Sequence, residues 1–249
     1  MSSVTAEVRP LADAERRCRI DLAAAHRLAD HFGWSDVIWN HVTARLPGAA
    51  DRFLIKRHEL RYDEVTASNL VTLDLEGRVV DGADGVNVTG FVIHSAVYQA
   101  RPDVTCVMHT HTRAGLAISC LESGLVPLVN DTMMFHGNVG YHDYEGISDD
   151  TDERARLAES LGPNRALILR NHGLVTVGAT VGEAFMLMYY LERACRTQLD
   201  VLQTGQPFRV PSDEIAARAA EQYHDFAPGR DEWPALLRLA EAKYPGFLE

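Results

Sequence analysis

The chain has 249 residues, 46% hydrophobic and 24% charged, enough apolar material for one large α/β domain or two small ones. Its formal charge of −11, with lysines and arginines scattered rather than massed, argues against a general nucleic-acid or membrane-surface binder. No apolar run approaches the roughly 20 residues of a membrane-spanning helix. The N-terminal MSSVTAEVRPLADAERR lacks the apolar centre of a secretory signal. Cys18, Cys106, Cys120 and Cys195 form no CxxC pair, so bystander thiols in a reduced, cytoplasmic protein are expected.

Residues 11–32 read as a helix. Cys18, Leu22, Ala25, Ala29 and Phe32 recur at steps of three and four, with Pro10 at the entrance and Gly33 at the exit. Strand-like pieces follow at 41–46, 52–56 and 70–77, and helical spacing returns over 91–101. VTCVMHT at 104–110 is rich in β-branched residues and preceded by the turn-forming Arg101-Pro102-Asp103, which predicts a strand. A helix over about 151–161 and strands over 166–172 and 173–178 come next. A long helix then runs over 180–203, with Val181, Phe185, Met188, Leu191, Cys195, Leu199 and Leu202 on its buried face. No repeat, low-complexity tract or linker divides the chain. Residues 1–249 are therefore expected to form a single domain, with 204–249 as a C-terminal extension able to close over a site. Strict βαβ alternation and a GxGxxG turn are both missing, which favours an α+β or layered α/β domain with an antiparallel component.

The candidate chemistry lies in histidines. Alternation along a strand puts His109 and His111 on one face, where two imidazoles can converge on a small cation. His172, closing an apolar strand at Gly173, is the obvious third ligand, although spacing alone does not bring it to the other two. Three neutral imidazoles with an open side suit zinc, manganese, iron(II) or nickel. The plainer alternative is a set of surface or satisfied core histidines, since the chain has 11.

Several long segments then carry a family resemblance: NHVTAR at 40–45, DEVTASNL at 63–70, GFVIHSAVYQARPDV at 90–104, HTHT at 109–112, YHDYEG at 141–146, and RNHGLVTVG at 170–178 leading into EAFMLMYYLERAC at 183–195. Together they resemble the class II aldolase/adducin family through nearly the whole chain. The resemblance implies a layered α/β/α domain around a central, mainly antiparallel sheet. It also implies a cyclic homotetramer with sites at subunit boundaries, and one divalent metal (zinc, manganese or iron(II)) per subunit on His109, His111 and His172.

The chain departs from the family's aldolases where a glutamate serves as acid/base. The matching segment reads Val88-Thr89-Gly90, as in the adducin-like branch, and glycine can neither take nor give a proton. Asn40 is retained, while Arg57-His58 stands at a phosphate-wrapping position, so Asn40, Arg57 and Thr89 become the candidate substrate-binding residues. An anionic small molecule fits this set; a sugar phosphate does not follow from it. For proton transfer, Tyr141 matches a tyrosine that in the aldolases reaches the neighbouring subunit's site. His94, about 6 Å along the helix from Gly90, is a candidate to replace the missing carboxylate, against the alternative of a histidine bonded within the core. His142, Asp143, Tyr144 and Glu145 receive no separate roles, and Tyr223 and His224 are weaker possibilities near the C-terminus.

The expected activity is that of a divalent-metal-dependent lyase. It would cleave a C–C bond of a small hydroxylated carboxylate or carbonyl compound, by retro-aldol reaction or decarboxylation, through a metal-stabilised enolate. Decarboxylation tolerates loss of the glutamate better, because only the resulting carbanion must be protonated. The alternatives are an iron(II) oxygenase using the three histidines and a non-catalytic, adducin-like assembly module.

Overall fold

The computed structural model describes residues 4–82, 85–147, 151–223 and 225–249, with side chains from residue 12 onward except at 88 and 89. The strands are β1 (His41–Leu46), β2 (Ala49–Ile55), β3 (Val71–Asp74), β4 (Val79–Asp81), β5 (Cys106–Thr110), β6 (Val139–His142), β7 (Ala166–Leu169) and β8 (Gly173–Gly178). The helices are α1 (Val4–His31), α2 (Val88–Ala100), α3 (Arg113–Ser119), α4 (Asn130–Met133), α5 (Glu153–Leu161), α6 (Val181–Gln203), α7 (Asp213–Gln222) and α8 (Glu232–Lys243). The strands make one sheet in the order β4-β3-β2-β1-β5-β8-β7-β6. Only the β6–β7 pair is parallel, which gives the mainly antiparallel α/β/α layering expected from the resemblance.

Period-two alternation splits the central strands between two cores. Cys106 and Met108 of β5 face a core shared with α1, α3, α6 and α8, where Leu22, Leu28, Phe185 and Leu191 are fully buried. Each such side chain contributes about 1.5–3 kcal/mol of burial. Val107 of β5 faces the other core, with Phe91, Val92 and Val97 of α2 and Leu157 of α5. His109 and His41 share the parity of Val107 and Thr43, so they stand on the α2 side of the sheet.

Most expected elements are present, with shifted ends. The helix expected from residue 11 starts at Val4, placing Pro10 inside it rather than at its entrance. The apolar stripe that predicts this helix begins only at Cys18 and carries no signal for earlier turns. The strand expected over 166–172 stops at Leu169, because Arg170, Asn171 and His172 form the tip of the β7–β8 hairpin. Asn171 takes the left-handed conformation there (φ 57°), which asparagine tolerates better than most residues. β6 interrupts what reads as a loop at 141–146. It is a four-residue edge strand containing Gly140, too short for alternation to register, and α5 carries the chain from it to parallel β7.

Within 204–249, α7 lies near α4, and α8 packs on α1 and α6. Among the described residues, the polar contacts of this extension run to Asp21, His31, Ala67, Ser68, Asn130, His136 and Tyr190 rather than to the three histidines. No helix of the described residues is long and apolar enough to cross a membrane.

Candidate metal centre

β5 is the middle of the site. Its antiparallel neighbours place His41 of β1 opposite His109, and Leu174 of β8 opposite Thr110. The β7–β8 hairpin therefore ends beside the end of β5, and His172 at its tip meets His109 and His111. The ring centroids lie 4.7 Å (His109–His111), 4.9 Å (His109–His172) and 5.0 Å (His111–His172) apart. One nitrogen from each ring lies within 4.8 Å of the others, so the structure brings together the three residues that spacing could not connect.

Gly173 permits this approach. A Cβ there would lie 2.5 Å from the Thr110 carbonyl oxygen and 3.2 Å from the His111 ring, forcing β8 away from the ligands. On the other side of His111, Thr112 caps α3 by accepting the Gly115 amide, and donates its hydroxyl to the buried carboxylate of Glu192. His111 is thus held between a strand end and a capped helix.

The tautomers follow from the partners. The Leu174 carbonyl, 3.0 Å from His109 Nδ1, can only accept, so His109 carries its proton on Nδ1. Asp36 Oδ2, 3.1 Å from His111 Nδ1, imposes the same choice on His111. Both Nε2 atoms then present lone pairs to each other at 2.9 Å. Two lone pairs at that separation repel unless a cation lies between them. Nitrogens so spaced match neighbouring ligands on one ion with bonds of about 2.0–2.1 Å. Burial first, then the charge of the neighbouring histidines, holds His109 well below the usual imidazole range and brings His172 down to about 4. His109 and His172 are therefore suited to bind a divalent ion as neutral donors, and Asp36 and the Leu174 carbonyl supply the outer contacts that orient His111 and His109.

The loop before β1 forms the rim. Val37 and Asn40 have left-handed backbones (φ 52° and 70°), while Val37 and Trp39 are exposed. Lys56 fastens this loop from beneath, donating to the carbonyls of Ile38 (2.7 Å), Leu60 (2.9 Å), His58 (3.2 Å) and Arg57 (3.3 Å). Burial lowers Lys56 to about 8.

The other expected residues are placed as follows. Asn40 is buried next to His41, its amide donating to the Trp34 carbonyl at 3.4 Å and its Oδ1 without a partner among the described residues. Arg57 pairs with Glu59 at the surface, so its charge is already engaged within the chain. Thr89 sits in the first turn of α2, and its side chain lies outside the described residues, as does His224. Tyr141 is turned into its own chain: its hydroxyl accepts the Leu125 amide at 3.0 Å, and Arg170 covers its ring at 4.3 Å. His142 bonds Ser160 at 3.0 Å and approaches Glu153 at 3.3 Å. Glu145 is held by Arg156, Asp143 and Tyr144 are exposed, and Tyr223 accepts from Asn130 at 2.7 Å.

His94 does not join the triad. It bonds the Thr43 hydroxyl at 2.6 Å and packs edge-on against His41, with ring centroids 5.7 Å apart; burial pushes it down to about 3. The residue between His94 and the metal ligands is His41, which stacks along His109 at 6.1 Å. Sequence reasoning assigned no role to His41 or to Asp36. The period-two match of His41 to His109 becomes visible only once β1 and β5 are known to be neighbours, and Asp36 lies in an irregular loop.

Comparison with known proteins agrees with this fold. Residues 20–199 match the family model described as the class II aldolase and adducin N-terminal domain. An aldolase II superfamily protein from Pseudomonas syringae is similar in structure, with 41% identity, coverage of 95% of this chain and 96% of that one, and a TM-score of 0.90. An L-fuculose 1-phosphate aldolase from Glaciozyma antarctica follows with 28% identity, coverage of 93% and 91%, and a TM-score of 0.83. Mouse alpha-adducin is 48% identical over 195 residues, which are 77% of this chain and 26% of that longer protein.

Proposed function

Because the chain belongs to the class II aldolase/adducin family, we propose that it is a divalent-metal-dependent lyase acting on a small hydroxylated carboxylate or carbonyl compound. The observation that carries this reading is the 2.9 Å approach of His109 Nε2 to His111 Nε2, with His172 beside them. A bound divalent ion would supply Lewis-acid polarisation of a chelating reactant as the C–C bond breaks. His109, His111 and His172 would hold it, Asp36 and the Leu174 carbonyl would keep the first two in the required tautomer, and the Lys56-fastened rim would orient the reactant. Among the two cleavages we favour decarboxylation, since Gly90 offers no group to take the proton that retro-aldol cleavage must remove at the outset.

Protein loaded with zinc, manganese or iron(II) and screened against hydroxycarboxylates and aldol donors tests this reading. Release of carbon dioxide or an aldehyde that stops on chelation is the expected result. Metal binding without turnover on any such compound would favour the second reading, a non-catalytic module of the adducin kind, which Gly90 and the likeness to alpha-adducin support.

We further propose a homotetramer with sites at subunit boundaries. The exposed Val37 and Trp39 at the rim and Tyr144 and Ile147 after β6 give it apolar surface to cover. Light scattering should return four times the 27.6 kDa chain mass; a monomer would remove this part of the reading. The four free thiols, three of them buried, suit a reducing cytoplasm, which we propose as its location.

A further inference from the structure

His41 is buried, only 4% exposed, yet neither ring nitrogen has a hydrogen-bond partner among the described residues. A neutral imidazole always carries one donor and one acceptor, and leaving both unmatched in a protein interior is costly enough that each case calls for a reason. The reason here is positional. His41 stands on β1 directly opposite His109, on the same face of the sheet, and its ring lies nearly parallel to that ligand's ring (20° between planes). His109 is itself 1% exposed, so His41 lies as deep as this ligand.

Gly90 is what admits the ring. A Cβ on Gly90 would fall 2.7 Å from His41 Cγ and Cδ2 and 2.9 Å from Nδ1. The imidazole therefore fills the volume that any side chain at 90 would enter. His94, Lys56, His111 and His58 are the titratable groups that bear most on His41, and none of them is a carboxylate. Asp36 is turned to the outer Nδ1 of His111. Among the described residues this corner therefore offers hydrogen-bonding nitrogens with no carboxylate facing them.

We propose that His41 is a substrate-binding residue whose ring hydrogen-bonds an oxygen of an α-hydroxycarboxylate held at the His109–His111–His172 centre. The inference rests on the metal-centre reading. It adds both the residue and the anionic class of reactant: an ionised carboxylate at this corner could only accept hydrogen bonds and would repel such an anion, whereas a neutral imidazole can donate to it.

The test uses the full chain loaded with cobalt(II), whose visible bands report ligand exchange, titrated with glycolate and with its neutral counterpart hydroxyacetone. Wild type and His41→Leu are expected to take up the same amount of cobalt. The glycolate Kd should rise about tenfold in His41→Leu, or ~1.4 kcal/mol, and recover in part in His41→Gln. Gly90→Ala keeps the imidazole but displaces it, and should weaken glycolate in the same direction; it also serves if His41→Leu folds poorly. Wild type should prefer glycolate over hydroxyacetone. Equal glycolate affinity across these variants, or a preference for hydroxyacetone, overturns the assignment of His41 while leaving the metal centre standing. A wild-type protein that takes up no cobalt overturns both.

Discussion

Asp36 offers a sharp test of how the centre is organised. Its Oδ2 accepts from His111 Nδ1 at 3.1 Å, fixing the proton there and leaving Nε2 free to bind an ion. Removing such an outer contact typically lowers metal affinity by about 10–100-fold. The Asp36 side chain is 46% exposed, so water screens part of its charge and the lower end applies. Asp36→Ala should weaken zinc binding about tenfold, or ~1.4 kcal/mol. Asp36→Asn should fall between, because its amide oxygen still accepts from Nδ1 while the charge is gone. The assay is competition for zinc against a chromophoric chelator at fixed pH, alongside thermal unfolding of the metal-free proteins to show that the fold is unchanged. Wild-type affinity in Asp36→Ala would refute the reasoning, since His111 would then choose its tautomer without help.

Gly173→Ala should both destabilise the protein, by about 1–3 kcal/mol as for overpacking, and reduce zinc stoichiometry, because its Cβ meets the Thr110 carbonyl oxygen at 2.5 Å; urea unfolding and elemental analysis check the two effects. Acid should weaken the metal-free protein in a defined window. Burial holds His26 and His94 at about 3 in the fold against 6.5 for a free imidazole. The unfolded chain therefore binds more protons between those values, and the stability present above pH 6.5 is lost as pH falls toward 3, by up to about 1.4 kcal/mol per unit for each histidine. Urea midpoints between pH 7 and 4 should fall less steeply in His26→Gln than in wild type, and an unchanged slope would contradict the burial argument.

How much was legible in the sequence depended on the range over which each signal acts. Helical stripes such as Val181–Leu202 and β-branched runs such as 104–110 are local, and they gave the long elements and the sheet's central strand. The family resemblance supplied the layering. The strand end at Gly173 made His172 the candidate third ligand, but neither periodicity nor spacing could bring it to the other two, because His172 reaches His109 only through the β5–β8 pairing. Short elements were lost for the same reason: β6 has four residues and α4 one turn, fewer than a period needs to declare itself. His41 lies within NHVTAR with no local signal of a task, since its importance comes from the cross-strand match to His109 and the missing Cβ of Gly90. His94, placed one helical turn from Gly90, drew attention by sequence proximity; in the fold it bonds Thr43 and backs His41 instead.

Metal content tests the central claim most directly. Protein incubated with zinc, dialysed and analysed by inductively coupled plasma mass spectrometry should retain one ion per chain, and His109→Ala, folded by circular dichroism, should retain none. A full equivalent in His109→Ala, or none in wild type, would contradict the assignment of these three histidines as a metal centre.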